Sequence, residues 1–282
     1  MTPPGTSVEQ HFCFIPGARG QLFAALRHPG PGRTCTRALL CVMPLAEEMN
    51  RSRRLVALQS RVLAAAGMAV LCVDPYGCGD SEGEFADADW QTWVDDLHAA
   101  RDWLGTRTGL PVDVWAIRHG ALLAADAFRA ALPQVVLLWQ PVVSGSAALR
   151  EMLRVSVASG MLNGRDRPRG VDALREALFA GETIDVGGYP ITPQLARALD
   201  AASLDPWPFG DARGAWIEVS GNPPEAQGRP GAPAADRCRI PGGTLHERVV
   251  TGRRFWSAPD VFEFDELITE TVQAIEEPAC RP

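Results

Sequence analysis

The sequence predicts an α/β protein: a doubly wound, mostly parallel sheet with a helical cap inserted late in the chain. Three observations carry the prediction. Continuous apolar runs such as ALLCVM (38–43), MAVLCV (68–73) and VVLLW (135–139) read as strands buried on both faces. Stretches with apolar residues at helical spacing separate them. From about residue 146 to 205 this alternation gives way to helical segments broken by Gly and Pro. Residues 1–282 are read as one domain carrying that insertion.

In chain order, Gln10 to Ile15 and Gln21 to Arg27 form a hairpin across the turn PGARG. RHPGPGRT breaks structure before the run Ala38 to Met43. PLAEEMNRSRR follows, then a helix whose Leu55, Leu58, Val62 and Ala66 keep helical spacing and which stops at Gly67. Met68 to Val73 leads into DPYGCGDSEGEF, a long polar loop. A second helix, roughly Asp89 to Leu104, turns Trp90, Trp93, Val94, Leu97 and Leu104 inward. The stretch from Pro111 to Phe128, PVDVWAIRHGALLAADAF, reads as a strand, a sharp turn and a helix rich in small side chains. Val135 to Trp139 is the next strand. After the insertion, Ala215 to Val219 resumes the sheet and SGNPPEAQGRPGAPAAD reads as a surface loop. Arg248 to Thr251 and Phe264 to Ile275 are the last strand and helix, and there is no internal repeat.

An apolar share of 46% and a charged share of 22% belong to an ordinary globular chain. The net charge of −7 offers no general attraction to nucleic acid or anionic membrane. There is no Lys, which excludes a Lys nucleophile or Schiff base. The seven cysteines contain no C-x-x-C pair and fit reduced thiols better than a disulfide framework. No apolar run reaches the roughly 20 residues of a membrane span, and MTPPGTSVEQHF lacks the pattern of a signal peptide. A cytoplasmic location is expected. Nothing in the sequence sets an oligomeric state.

Asp74, Gly77, Gly79 and Ser81 spell D-x-x-G-x-G-x-S after a strand, a loop found in many α/β-hydrolases. With the WAIRHGALLAA turn, they make the chain resemble that superfamily, with a cap between the sixth and seventh strands. PLAEEMNRSRR, DPYGCGDSEGEF, WAIRHGALLA, LWQPVVSG and RRFW together resemble the exosortase A system-associated hydrolase 2 family. That resemblance implies a hydrolase fold and an exopolysaccharide context, and supplies no substrate.

The superfamily presents its nucleophile as G-x-S-x-G on such a strand–turn–helix. Here the five positions are Ala116, Ile117, Arg118, His119 and Gly120. Arg118 holds the nucleophile position, and a protonated guanidinium cannot attack a carbonyl. Gly79, Ser81 and Gly83 match the letters of the motif, but Ser81 sits in an extended acidic loop and reads as a loop serine. The triad His is expected after the last strand, where the chain has Thr251, Gly252, Arg253, Arg254, Phe255 and Trp256; His246 precedes that point. Glu225 is the available acid. A Ser–His–Asp mechanism is therefore not expected.

What converges on the expected pocket is a charged set. Glu47, Glu48 and Asn50 follow the third strand, and Arg118 stands opposite at a helix start, where anions are favoured. Two readings are open: Arg118 pairs with Glu47 or Glu48 as a structural replacement, or it binds an anionic ligand and helps a glutamate activate water. Glu47, Glu48 and Arg118 are the catalytic candidates; Asn50, Asp80, His119, Trp139 and Trp256 are the substrate-binding candidates. No His/Asp/Glu spacing resembles a zinc site, and no metal or other cofactor is expected. The expected partner is an anionic acyl- or glycan-related small molecule, held either by an enzyme or by a non-catalytic binding or scaffold protein.

Overall fold

An antiparallel hairpin opens the chain. β1 (Val8–Pro16) pairs along its whole length with β2 (Gln21–Pro29), and a Gly17 N–H to Gly20 carbonyl bond of 2.8 Å closes the turn. In this computed structural model residues 7–162, 169–221, 245–258, 260 and 262–276 are described. Glu225 and most of the loop around it lie outside the described residues. Both hairpin strands run past their apolar centres, because the ladder continues through Glu9, Gln10, Arg27 and His28 whatever their polarity.

The remaining main strands are β3 (Arg37–Val42), β4 (Met68–Val73), β5 (Val112–Ile117), β6 (Val135–Trp139), β9 (Arg213–Ser220) and β10 (Leu245–Thr251). The eight-stranded order is β1-β2-β4-β3-β5-β6-β9-β10. β2 meets β4 antiparallel, and every pairing from β4 to β10 is parallel. Parallel strands covered on both faces need apolar side chains on both, which is why β5 and β6 show almost no polar alternation.

Three long helices flank the sheet. α1 (Glu47–Ala65) ends before Gly67, whose φ of +97° suits Gly alone. α2 (Trp90–Thr108) starts one residue after Asp89, whose carboxylate caps it by accepting from the Thr92 N–H at 2.7 Å; Gly109 ends it in the left-handed region. α7 (Asp265–Glu276) closes the chain's described part. Trp93, Trp115, Trp139 and Trp216 are among the largest fully buried side chains. The buried Asp113 carboxylate ties β5 to its neighbours, accepting from Arg37 and from the Gln134 and Val135 N–H groups.

Between β6 and β9 lie α4 (Gly145–Leu162), α5 (Val171–Ala180), a small antiparallel ribbon of β7 (Ile184–Val186) and β8 (Tyr189–Ile191), and α6 (Pro193–Ala201). Arg175 bridges α5 to Asp200 of α6 at 2.8 Å. Tyr189 of the ribbon accepts a 2.7 Å bond from Asn50 of α1, tying this inserted region to the sheet's carboxyl edge. Among the described residues no helix is long and apolar enough to cross a membrane.

Candidate functional site

The sharp turn expected after β5 is there, and its geometry explains its sequence. Arg118 adopts φ +53°, a left-handed conformation that strains a non-Gly residue. Its N–H donates to the Trp139 carbonyl at 3.0 Å, and its own carbonyl accepts from Ala121 and Val142, so β5, β6 and the following helix hold it. That helix, α3 (Gly120–Ala127), lies against the end of β3. A Cβ on Gly120 would sit 2.5 Å from the Val42 and Met43 carbonyl oxygens, so the position admits only Gly. Ala at four of the next seven positions keeps the rest of α3 equally close.

The Arg118 side chain is buried and paired with two acids. Nε donates to Glu48 Oε2 at 3.0 Å and Nη2 to Glu48 Oε1 at 3.2 Å, a two-bond fork. Nη2 also donates to Glu151 Oε2 at 3.0 Å. The guanidinium lies 4.6 Å from the centre of the Trp256 ring. Arg118 pairs with Glu48 and not with Glu47, which instead pairs with Arg51 at 3.0 Å. Glu151, on α4, completes the cluster.

Glu48 sits in the first turn of α1, where the helix N-terminus favours a carboxylate. Burial nevertheless pushes its pKa up, against the opposing charge of Arg118. His119 is 1% exposed, and burial, then the Arg118 charge, press its pKa down to about 3. It is therefore neutral. Neither of its ring nitrogens has a hydrogen-bond partner among the described residues, Nδ1 lying 3.5 Å from Glu48 Oε2. An unsatisfied polar group at this depth is unusual and costs roughly 1–3 kcal/mol.

A cavity of about 370 Å³ opens over this cluster. Leu45, Ala46, Glu47, Glu48 and Arg51 wall it from the end of β3 and the start of α1, and His119 from the turn. Glu151, Met152, Val155 and Val186 come from the inserted region, and Arg254, Trp256 and Ser257 from the loop after β10. Arg118 is not on this wall; Glu48, Glu151 and Trp256 surround its side chain instead. Arg254 has no carboxylate partner among the described residues.

Of the residues singled out in the sequence, Glu47, Glu48, His119 and Trp256 meet at the cavity, with Arg118 behind them. Asn50 is exposed and engaged with Tyr189. Asp80 is also exposed, its N–H donating to the Asp74 carboxylate at 3.1 Å within the loop after β4. Trp139 is fully buried: it stacks edge-on against Trp115 and Phe255, and its Nε1 donates to Thr271 at 2.9 Å. It supports the floor beneath the cavity and does not line it. Ser81 is the loop serine expected, donating to the Asp74 carbonyl and accepting from the Phe23 N–H. His246 lies within β10, before the loop that carries Trp256. Glu151 and Met152 have no counterpart among the sequence candidates, and Arg254 is named there only as part of the loop where a triad His is expected.

The fold is shared with solved structures. Est1E from Butyrivibrio proteoclasticus, in its form with ferulic acid bound, matches with a TM-score of 0.60 at 14% identity, covering 93% of this chain and 97% of that one. Alpha/beta hydrolase domain-containing protein 10 from mouse matches with a TM-score of 0.59 at 14% identity, over 94% of this chain and 98% of the other. XC6422 from Xanthomonas campestris, described as an α/β serine hydrolase without lid, gives 0.54 at 15% identity, over 95% and 94%. At such identities the likeness is one of fold: the chain has the α/β-hydrolase fold. No family profile matches the sequence, and no curated protein matches it.

Proposed function

We propose that this is a cytoplasmic protein of the α/β-hydrolase superfamily that binds an anionic, hydroxyl-bearing small molecule, acyl- or glycan-related, without forming an acyl-enzyme. The supporting observation is the occupant of the nucleophile position: Arg118, held by two glutamates behind the cavity wall. The place of a triad His is taken by Phe255 and Trp256, both buried. The cavity's own chemistry supports recognition. Glu48 and Glu151 accept hydrogen bonds from hydroxyls, neutral His119 offers one acceptor and one donor, and Arg254 attracts an anionic group. Leu45, Met152, Val155, Val186 and Trp256 supply an apolar wall for an acyl chain or a sugar face. The resemblance to the exosortase A system-associated hydrolase 2 family suggests a ligand from exopolysaccharide metabolism.

A second reading is an enzyme in which Glu48 or Glu151 activates water, and the raised pKa of Glu48 favours it. Against it, both Glu48 oxygens are occupied by Arg118. One experiment separates the two. Wild type, Arg118→Ala and Glu48→Ala are offered a panel of acyl, phosphate and sugar esters, with binding followed by thermal shift and a serine-directed fluorophosphonate as covalent probe. We expect ligand-induced shifts, no turnover and no labelling. Turnover abolished in Glu48→Ala would establish the enzyme, and labelling of Ser81 would overturn the assignment of the elbow.

A further inference from the structure

We propose that Glu9, His11 and His28 form a metal site on the outer hairpin, with Zn²⁺ as its cation. No spacing motif announces these residues; the register of β1 on β2 assembles them. Glu9 and His11 stand two apart on one strand and so share a face. His28 is directly opposite Glu9 in the antiparallel pair. His11 Nε2 and His28 Nε2 each lie 3.3 Å from Glu9 Oε2, and the three ligand atoms fall within 4.8 Å of one another. Ligands about 2.0–2.1 Å from a tetrahedral Zn²⁺ are ~3.4 Å apart. Two of the three edges thus have the required length. The third closes with a modest swing of His11, whose ring stacks at 5.1 Å over that of His28 and whose side chain is 46% exposed.

His28 supplies an independent observation. Its Nδ1 is 2.9 Å from the Pro29 carbonyl oxygen. A carbonyl only accepts, so Nδ1 carries a proton, which leaves Nε2 as the nitrogen turned toward the Glu9 carboxylate. Such a bond to the remote nitrogen is what orients a metal-bound imidazole. Two imidazoles and one carboxylate suit Zn²⁺, whereas Mg²⁺ and Ca²⁺ take oxygen ligands. Water fills the fourth position. None of the three residues lines the Arg118 cavity, so the site stands apart from the function proposed above. Its consequence is structural: the ion clamps the edge strand β1 to β2.

The test uses the full chain, carried without a polyhistidine tag and stripped with EDTA. It is titrated with Zn²⁺ by calorimetry and with Co²⁺ by visible absorption. The expected result is one ion per chain, the absorption bands of four-coordinate Co²⁺, and a Tm raised by a few degrees. Glu9→Gln, His11→Ala and His28→Ala, all at a partly solvated strand surface, each weaken binding at least ~10-fold. His98→Gln, remote from the cluster, leaves it unchanged. The proposal is overturned if there is no saturable uptake, or if uptake is the same in all three variants. A histidine NMR titration with both imidazoles protonated at neutral pH and no uptake would assign the 3.3 Å contacts to protons alone, and would overturn it equally.

Discussion

Arg118→Ala is expected to lower the free energy of unfolding by about 3–5 kcal/mol near pH 8, the usual cost of leaving buried charge without its partner. The loss falls toward the lower end because only part of the cluster is sealed. Arg118 and Glu48 side chains are 7% and 19% exposed, whereas Glu151 is 46% exposed and can turn to water. The pH dependence follows from Glu48. Burial already raises its pKa above the ordinary 4.5, and Arg118 is the main influence holding it down. Without Arg118 the folded-state pKa rises further. A carboxyl whose folded pKa exceeds its unfolded one contributes stability that is complete below the unfolded value and lost as pH climbs through the folded value. The deficit of the variant is therefore smallest near pH 4.5 and grows toward neutrality. Urea denaturation at several pH values measures it.

Two companion variants keep that result interpretable. Arg118→Lys retains charge but not the planar fork or the stacking on Trp256, and lies between wild type and Ala. Arg118→Met combined with Glu48→Gln removes both charges of the tightest pair and recovers at least half of the loss. Equal stability of wild type and Arg118→Ala at neutral pH would mean the ion cluster does not hold the turn, and the account of Arg118 as a paired, structural cation would fail.

The fold was readable because its causes are local. Parallel strands buried on both faces leave uninterrupted apolar runs, and Gly67 marks a helix end by the backbone it permits; α2 runs past the expected Leu104 to Thr108. The turn at Arg118 was readable for a related reason: a strand followed within two residues by Gly120 and a run of Ala describes a helix that must approach its neighbours closely. Glu48 was within reach because it follows β3, and this sheet order puts the ends of β3 and β5 side by side.

What escaped the sequence depends on tertiary placement. Glu151 belongs to α4, where Ala148, Leu149, Met152 and Leu153 form the buried stripe and Glu151 flanks it. Its only signal was an acid beside an apolar face, common on any helix. Trp139 was assigned to the cavity because it ends a strand. In the sheet it is registered with Ile117, and its ring goes into the core instead of over the edge. Asp80 follows Asp74 into a loop that folds on itself, so its backbone is used there. The Glu9, His11 and His28 cluster arises from strand register across a hairpin, and a scan for ligand spacing along the chain passes over it.

Trp139→Ala is the sharper test of that placement, with an expected cost of about 3–5 kcal/mol, the usual range for deleting a buried aromatic ring. The ring fills space between Trp115 at 4.7 Å and Phe255 at 5.6 Å, centre to centre, and the surrounding sheet cannot collapse onto the void. Losing the indole N–H also leaves Thr271 without its donor, although the Thr271 hydroxyl keeps its own bond to the Leu267 carbonyl at 2.7 Å. Trp139→Phe separates these contributions: it retains most of the packing, forfeits the hydrogen bond and costs roughly 1–2 kcal/mol. Urea titration read by far-UV circular dichroism is the measurement, with the midpoint falling and the slope unchanged. A residue that merely walled an open cavity would lose far less, since its truncation enlarges space that solvent already enters. A loss below about 1 kcal/mol for Trp139→Ala would therefore return Trp139 to the cavity wall and remove the floor on which Phe255 and Trp256 are set.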